Sequence, residues 1–294
     1  MIHFKILIFN LFKIWNSFQF IAIKLLTRNR KQQLYPNMFA APKRCVPSVT
    51  LKSFLLHLIA FSWCCFGTYK DRTVYIVPKF SEYGGRFQFL TMITAYFCLV
   101  SYGIAFVVDL LQMVTGLLEN RRITKNGYPA HNSYLISLRD DLVSFWVFTL
   151  STFVVILYWS LAYIDLDGVH TAEDRKIVPL FGWFNQYLHT VPIFTALLLI
   201  TNVNYGYGGI KKTIVFTIIF GSSYLFWISH LAKVKGYWAY PFMAKLTNVQ
   251  YGAFCAACHL IFLVLYAVGR KISVMVWSQE YKERVLIENE RKRL

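Results

Sequence analysis

Long apolar stretches separated by short polar segments dominate the pattern of this chain. Six stretches of about 20 residues carry almost no charge, and as helices each is long enough to cross a hydrocarbon layer of about 30 Å. Polar segments with turn residues such as Asn126-Gly127 separate them. The pattern predicts an all-α polytopic bundle with six transmembrane helices, at about 51–69, 87–111, 142–164, 179–202, 213–232 and 249–270.

The spans also predict the domain organisation. We expect residues 51–277 to form the membrane domain and residues 278–294 to form a charged tail, whose alternating charges are typical of a solvated helix. Residues 1–50 form an N-terminal extension and linker. Lysines divide the apolar part of this extension, which favours an additional basic helix at the membrane interface. A signal-anchor span, or a true start at Met38, are the alternatives.

Composition and charge indicate a membrane protein and predict its orientation in the membrane. Of the 294 residues 56% are apolar and 15% are charged, well below the roughly 25% charged residues of an average soluble domain. The net charge of +17 predicts contact with lipid headgroups. It does not indicate nucleic acid, because no basic face interleaved with aromatic residues is present. Lys and Arg are more frequent in the loops on the C-terminal side, which predicts a cytoplasmic C-terminus in the endoplasmic reticulum or cell membrane.

The fourth apolar stretch, "FGWFNQYLHTVPIFTALLLI", contains unusual polar residues. An ionisable side chain inside a membrane is costly and is a functional candidate by default, which singles out His189. Pro192 cannot donate to the carbonyl of Leu188, so we expect the helix to open at this turn. Asn185 lies one turn before His189 on the same face and could line the resulting cavity.

Three polar side chains from different spans are predicted to share one half of the bilayer. Counting the rise along alternating helices places Thr91, His189 and His230 in the non-cytoplasmic half. Structural roles are the alternative: a threonine often returns its hydroxyl to a carbonyl one turn earlier, and His230 is close enough to the interface to reach water. The shared depth permits contact without requiring it.

Histidines in the spans also allow a haem protein as an alternative. "CAACH", at 255–259, matches the pattern of covalent haem attachment, but it lies inside an apolar span. A membrane cytochrome would need paired axial histidines on facing helices, drawn from His57, His189, His230 and His259. Since only His189 and His230 are predicted at similar depth, we expect no metal or cofactor. Five of the six cysteines lie in spans, so no disulfide framework is indicated.

Several short motifs resemble one known family. "YGGRFQFLT", "ISLRD", "AYID", "GWFNQYLHT" and "GYWAYPFM" occur in the order and spacing of the family that includes the androgen-induced gene 1 protein and the androgen-dependent TFPI-regulating protein. The resemblance covers about residues 51–280. It implies a six-span hydrolase that cleaves fatty acid esters of hydroxy fatty acids, with Thr91 as the nucleophile and His189 as the base.

The remaining candidate roles follow from the chemistry of that reaction. A threonine hydroxyl needs an adjacent base, and donors must meet the oxyanion of the tetrahedral intermediate. Asn185, Trp183 and His230 are candidates for oxyanion contacts, Asp165 for orienting a histidine, and Arg86 or Lys235 for binding the substrate carboxylate. A non-enzymatic scaffold or lipid carrier, in which polar residues only hold helices together, is the remaining alternative.

Overall fold

The computed structural model describes residues 50–119, 133–207 and 210–277. The predicted N-terminal helix and the charged tail lie outside the described residues, so the domain boundaries stay predictions. Regular structure in the described ranges is entirely helical. The predicted all-α fold is therefore confirmed.

The helices follow one another with short connections. In the described part of the chain they are α1 Leu51–Thr73, α2 Leu90–Glu119, α3 Ser133–Asp141, α4 Ser151–Ile164, α5 Leu166–Val169, α6 Ala172–Ile177, α7 Trp183–His189, α8 Val191–Asn202, α9 Ile210–Lys235 and α10 Asn248–Val276. A π-helical segment, Leu142–Leu150, joins α3 to α4. Three 3₁₀ turns occur in the loops, at Pro78–Ser81, Gly85–Gln88 and Pro241–Lys245.

Five helical runs are long and apolar enough to cross a membrane. They are Leu51–Thr73, Leu90–Thr115, Leu135–Ile164, Lys211–Lys235 and Asn248–Val276. The predicted fourth span is divided into α7 and α8, which meet at Thr190 in a non-helical conformation (φ −136°, ψ −52°). Pro192, in the first turn of α8, lacks the N–H that would continue the helix. The predicted helix opening is confirmed, and the molecule is an integral multi-pass membrane protein.

Capping residues and a glycine pair set where the helices begin. Thr50 with Ser53 and Thr247 with Gln250 form reciprocal caps at α1 and α10. Before α2, Gly84 and Gly85 have positive φ angles of 91° and 51°, which side chains rarely adopt. This turn leads through the 3₁₀ turn into α2, so that Thr91 is the second residue of that helix.

We call the end of the bundle at which α2 begins the upper end and the opposite end the lower end. At the upper end the loops converge: the Tyr224 hydroxyl donates to the Gln88 carbonyl at 3.1 Å, and the Trp227 indole donates to the Phe87 carbonyl at 3.0 Å. These bonds tie α9 to the turn before Thr91.

A buried ionic network holds the lower part of the bundle. Asp109 on α2 contacts Arg139 Nη1 at 2.7 Å and His57 Nδ1 at 2.9 Å. The Tyr205 hydroxyl contacts the other ring nitrogen of His57 at 2.5 Å, and Asp140 contacts Arg139 Nη2 at 2.8 Å. All five side chains are at most 3% exposed, so the network links α1, α2, α3 and the 203–207 loop away from solvent.

Candidate functional site

The hydroxyl of Thr91 and the imidazole of His189 meet near the upper end. Thr91 Oγ1 lies 3.2 Å from His189 Nε2, although the two residues are 98 positions apart in sequence. Thr91 extends from the first turn of α2, and His189 is the last residue of α7, where the broken helix presents it to α2. His189 is 8% exposed, so its imidazole is largely shielded from water, whereas Thr91 is partly exposed.

Asn185 fixes which nitrogen of His189 carries the proton. Its Nδ2 donates to the Leu180 carbonyl at 2.7 Å, so its Oδ1 must face the opposite way. That oxygen lies 2.9 Å from His189 Nδ1, and an amide oxygen only accepts, so Nδ1 carries the hydrogen. The lone pair of Nε2 is thereby directed at the Thr91 hydroxyl, as a general base requires.

Tyr158 and His170 extend this arrangement and have no signal in the sequence. The Tyr158 ring stacks on the His189 ring at a centroid distance of 3.5 Å, and its hydroxyl donates to Asn185 Oδ1 at 3.0 Å. Since that proton is used, the Tyr158 oxygen accepts from His170 Nδ1 at 2.9 Å. Burial, the largest cause, lowers the pKa of His170, so it is neutral at pH 7. An aromatic residue in an apolar span and a histidine in a loop look unremarkable in sequence.

At the break between α7 and α8, the His189 carbonyl has a side-chain partner instead of a helical one. The Trp159 indole donates to the His189 carbonyl at 2.7 Å and also contacts Thr190 Oγ1 at 3.1 Å. A buried carbonyl without a partner would be costly, and this bond removes that cost. Trp159 therefore secures the backbone that carries the imidazole.

Unused hydrogen-bond donors lie beside Thr91. In the first turn of α2, the Leu90 N–H donates to the Tyr240 hydroxyl at 2.9 Å, and the N–H groups of Met92 and Ile93 donate to the Phe89 carbonyl. The Thr91 N–H has no partner among the described residues. The Tyr240 hydroxyl lies 3.4 Å from the Tyr224 hydroxyl, whose closer acceptor is the Gln88 carbonyl at 3.1 Å. When Tyr224 donates to that carbonyl, Tyr240 can donate its own proton to the Tyr224 oxygen or to a bound molecule. Thr91 and Tyr240 line the same cavity at the positive end of helix α2.

Two cavities meet at Thr91. The larger, of about 110 Å³, is lined mainly by apolar side chains of α2, α4, α9, α10 and the π-helical segment. The smaller, of about 30 Å³, lies against α1 and the α7–α8 break and is lined by residues that include Thr94, Leu188 and Pro192. Thr91 lines both cavities, so it lies at the boundary between them.

Three predicted site residues are placed elsewhere. Trp183 stacks with Tyr187 at 5.6 Å and lines neither cavity. His230 is exposed on α9 beside Tyr83 and Trp227, so it does not join His189. Asp165 caps α5 by accepting from the Gly168 N–H at 3.2 Å, and its carboxylate also binds Lys245. Of the predicted orienting and oxyanion candidates, the structure brings only Asn185 to the pair, and there it orients the imidazole.

The two predicted carboxylate-binding cations already have acidic partners. Arg86 Nε binds Asp71 at 2.6 Å, and Lys235 Nζ binds Glu82 at 2.5 Å. Burial alone would raise the pKa of Glu82, but the hydrogen bonds from Lys235 and Tyr237 outweigh it and lower that pKa. Lys235 also donates to Gln88 Oε1 at 2.7 Å. Both cations thus stabilise the turn that precedes Thr91, and a substrate carboxylate would have to share them.

The four span histidines considered for a membrane cytochrome, all within the described residues, do not form the pair that it needs. His57 uses both ring nitrogens within the lower network, and His189 uses both on Asn185 and Thr91. His230 faces outward, and His259 donates from Nδ1 to the Cys255 carbonyl at 2.8 Å. These positions do not fit two axial ligands on facing helices.

Comparison with known proteins gives consistent matches over most of the chain. The profile of the FAR-17a/AIG1-like proteins matches residues 52–274. The chain is 26% identical to the human (Homo sapiens) androgen-induced gene 1 protein over 220 residues, 72% of this chain and 88% of that protein. It is 24% identical to the human androgen-dependent TFPI-regulating protein over 78% of this chain and 95% of that protein. A UPF0641 membrane protein of Schizosaccharomyces pombe is 25% identical over 75% of this chain and 89% of its own length. No solved structure matches the chain.

Proposed function

We propose that this chain, which belongs to the FAR-17a/AIG1-like protein family, is a membrane-embedded hydrolase that cleaves fatty acid esters of hydroxy fatty acids. The observation that carries the proposal is the 3.2 Å contact between Thr91 Oγ1 and His189 Nε2. The neighbouring Asn185 leaves Nε2 as the basic nitrogen. A purely structural threonine would return its hydroxyl to its own helix, as Thr94 does to the Leu90 carbonyl at 2.8 Å.

The first half of the proposed reaction transfers the acyl group to the protein. His189 Nε2 takes the hydroxyl proton while Thr91 Oγ1 attacks the ester carbonyl carbon. The carbonyl oxygen becomes an oxyanion, which the Thr91 N–H and the Tyr240 hydroxyl are placed to stabilise. The carbon–oxygen bond to the alcohol then breaks. His189 returns the proton to that oxygen, so the hydroxy fatty acid leaves and an acyl-threonine remains.

The second half regenerates the protein. A water molecule gives a proton to His189 Nε2 and attacks the acyl-threonine carbonyl. The same donors meet the second oxyanion, the bond to Thr91 Oγ1 breaks, and the proton returns to that oxygen. The fatty acid is released. Asn185 and Tyr158 hold the imidazole in place throughout, and both are neutral, which avoids burying a carboxylate charge in the membrane.

The cavities favour a lipid with two chains. A branched ester carries an acyl chain on one side of the carbonyl and a hydroxy acid chain on the other. With the carbonyl at Thr91, one chain could occupy the larger cavity and the other the smaller. The lining of the larger cavity is mainly apolar, so it can hold a hydrocarbon chain without leaving buried polar groups unpaired. A lipid already in the bilayer would bring these chains to the site without crossing water.

The test is hydrolysis of a synthetic fatty acid ester of a hydroxy fatty acid by purified protein. We expect Thr91→Ala and His189→Ala each to abolish turnover while the protein remains folded. Matched controls are Thr115→Ala on the same helix, whose hydroxyl is bonded to the Leu111 carbonyl at 2.9 Å, and His230→Ala at the exposed position. Both should hydrolyse normally. Full activity in Thr91→Ala would exclude this function.

A mechanism-based probe tests the covalent step separately. A fluorophosphonate carrying an alkyl chain should label the wild-type protein at Thr91 and leave Thr91→Ala unlabelled. Labelling of His189→Ala should be much slower, because the hydroxyl lacks its base. Labelling at a different residue with turnover intact would assign the nucleophile elsewhere.

A further inference from the structure

The lining of the larger cavity includes two polar side chains that the proposed reaction does not use. Thr217 on α9 and His259 on α10 both line it, among apolar neighbours such as Phe220 and Phe262. Polar groups in an apolar pocket fix the orientation and identity of a ligand. The positions of these two side chains and their unused hydrogen-bonding groups therefore indicate which kind of ligand the cavity accepts.

Thr217 has a buried hydroxyl without a partner. Its side chain is 3% exposed, and Oγ1 makes no hydrogen bond within the described structure. Other threonines in the membrane helices, Thr94, Thr195 and Thr201, donate to the carbonyl four residues earlier at 2.8 to 3.2 Å. Thr217 departs from this pattern, as do Thr149 and Thr152, but of these three only Thr217 lines the larger cavity, so its hydroxyl remains available to a molecule there.

His259 offers a complementary acceptor. Its Nδ1 donates to the Cys255 carbonyl at 2.8 Å, which leaves Nε2 with a lone pair and no partner among the described residues. Nε2 approaches α9 at Gly221, where an added Cβ would lie only 2.5 Å from it. Gly221 follows Thr217 by one helical turn on the same face. The free hydroxyl and the free imidazole nitrogen are therefore neighbours across the α9–α10 contact.

The pair lies deeper in the bundle than Thr91. Tyr224 marks the level of the turn before α2, because its hydroxyl donates to the Gln88 carbonyl. Thr217 precedes Tyr224 by seven residues on α9, which places it about 10 Å further toward the lower end at 1.5 Å per residue. A chain attached to a carbonyl at Thr91 and extending down the larger cavity would pass this pair.

We propose that Thr217 and His259 form a subsite for a hydroxyl group carried on the lipid chain that occupies the larger cavity. An alcohol can donate its hydrogen to His259 Nε2 and accept the hydrogen of Thr217, which matches one free acceptor and one free donor. A methyl or methylene satisfies neither. An ionised carboxylate has no hydrogen for Nε2 and would bury a charge. The inference rests on the proposed function in that the chain is anchored by an ester at Thr91.

The experiment uses pairs of esters that share the same alcohol and differ only in the end of a straight acyl chain. One member of each pair ends in a methyl group and the other in a hydroxyl, over a graded series of chain lengths. We expect the wild-type protein to prefer the hydroxylated member by at least about tenfold in kcat/KM at one chain length, because an absent hydroxyl leaves both protein groups unpaired. Thr217→Val and His259→Phe should each bring this ratio toward one. Thr201→Val, which alters a threonine already bonded to its own helix, should keep the ratio.

A binding measurement separates this subsite from the proposed reaction. Ether analogues of the same pairs cannot be hydrolysed, and their binding is read as an increase in Tm of the purified protein. Greater stabilisation of the wild type by the hydroxylated ether, lost in Thr217→Val, supports the subsite even if no ester is cleaved. Equal rates and equal Tm shifts for both members at every length, or a preference that survives both variants, would overturn it and leave the hydrolase proposal standing.

Discussion

Replacing Asn185 by leucine tests how the imidazole of His189 is oriented. Leucine has a similar size and no polar atoms, so the substitution removes three hydrogen bonds from a residue that is 0% exposed. These are the bonds to His189 Nδ1 at 2.9 Å, to the Tyr158 hydroxyl at 3.0 Å and to the Leu180 carbonyl at 2.7 Å. The variant therefore separates orientation from the chemistry of Thr91 and His189, which it leaves in place.

The size of the effect follows from what the partners keep. His189 Nδ1 still faces the backbone carbonyl of residue 185 at 3.2 Å, Tyr158 still contacts His170 at 2.9 Å, and the Leu180 carbonyl still accepts from Gln186 at 3.3 Å. The Tyr158 O–H loses its acceptor, because His170 already donates to that oxygen, so this bond costs about 1 to 3 kcal/mol and the other two cost about 1 kcal/mol each. Unfolding should therefore be easier by about 3 to 5 kcal/mol. A misoriented imidazole that costs about 1.4 to 2.8 kcal/mol at the reacting centre lowers kcat by about 10- to 100-fold, since each 1.4 kcal/mol is tenfold.

The assay compares initial rates of ester hydrolysis with the folded fraction of each purified variant. KM should change little, because Asn185 lines neither cavity. Gln186→Leu is the matched control: it removes the shared bond to the Leu180 carbonyl without touching His189, and it should retain kcat. If folded Asn185→Leu turns over within about twofold of the wild type, the side chain does not set the orientation of His189, and this reasoning is refuted.

Three further outcomes follow from the structure. Tyr240→Phe removes one proposed oxyanion donor and should lower kcat about 10- to 100-fold, measured with the same ester; an unchanged kcat would remove Tyr240 from the mechanism. Asp109→Ala removes one of the two carboxylates that bind the buried Arg139 and also the partner of His57 Nδ1, and the loss of these two bonds to a charged group should cost about 3 to 5 kcal/mol in unfolding free energy, read as a fall in Tm. As a control, Asp167→Ala breaks an exposed ion pair and should change the free energy of unfolding by less than about 0.5 kcal/mol. Burial alone would raise the pKa of Asp174, but the hydrogen bonds from Lys79 and Thr171 outweigh it and lower that pKa. The stability that the ionised Asp174 contributes is therefore lost as pH falls through its folded-state pKa. Lys79→Met should move the midpoint of acid unfolding to higher pH, and an unmoved midpoint would contradict this.

The candidate site contains some residues that the sequence predicts and others that it does not. His189 as a functional candidate and its shared depth with Thr91 could be predicted from the apolar pattern, whereas the choice of Thr91 as its partner depended on the family resemblance. Tyr158 could not, because a tyrosine in an aromatic span looks like packing. His230 was predicted in the same half of the bilayer from depth, and Trp183 was a candidate for oxyanion contacts, but neither depth nor position in the sequence determines which way a side chain points around its helix.

Sequence by itself determined the all-helical membrane fold, the approximate position of five spans, the helix opening near Pro192 and the family. These properties depend on local composition, because a bilayer requires long apolar helices and proline lacks an N–H wherever it occurs. The predicted fourth of six spans is instead divided into two shorter helices. Only the tertiary structure decided that Asn185 holds the imidazole, that Arg86 is already paired with Asp71, and that two cavities meet at one hydroxyl. Those properties depend on the rotation and spacing of helices distant in sequence, which the packing of the whole bundle sets.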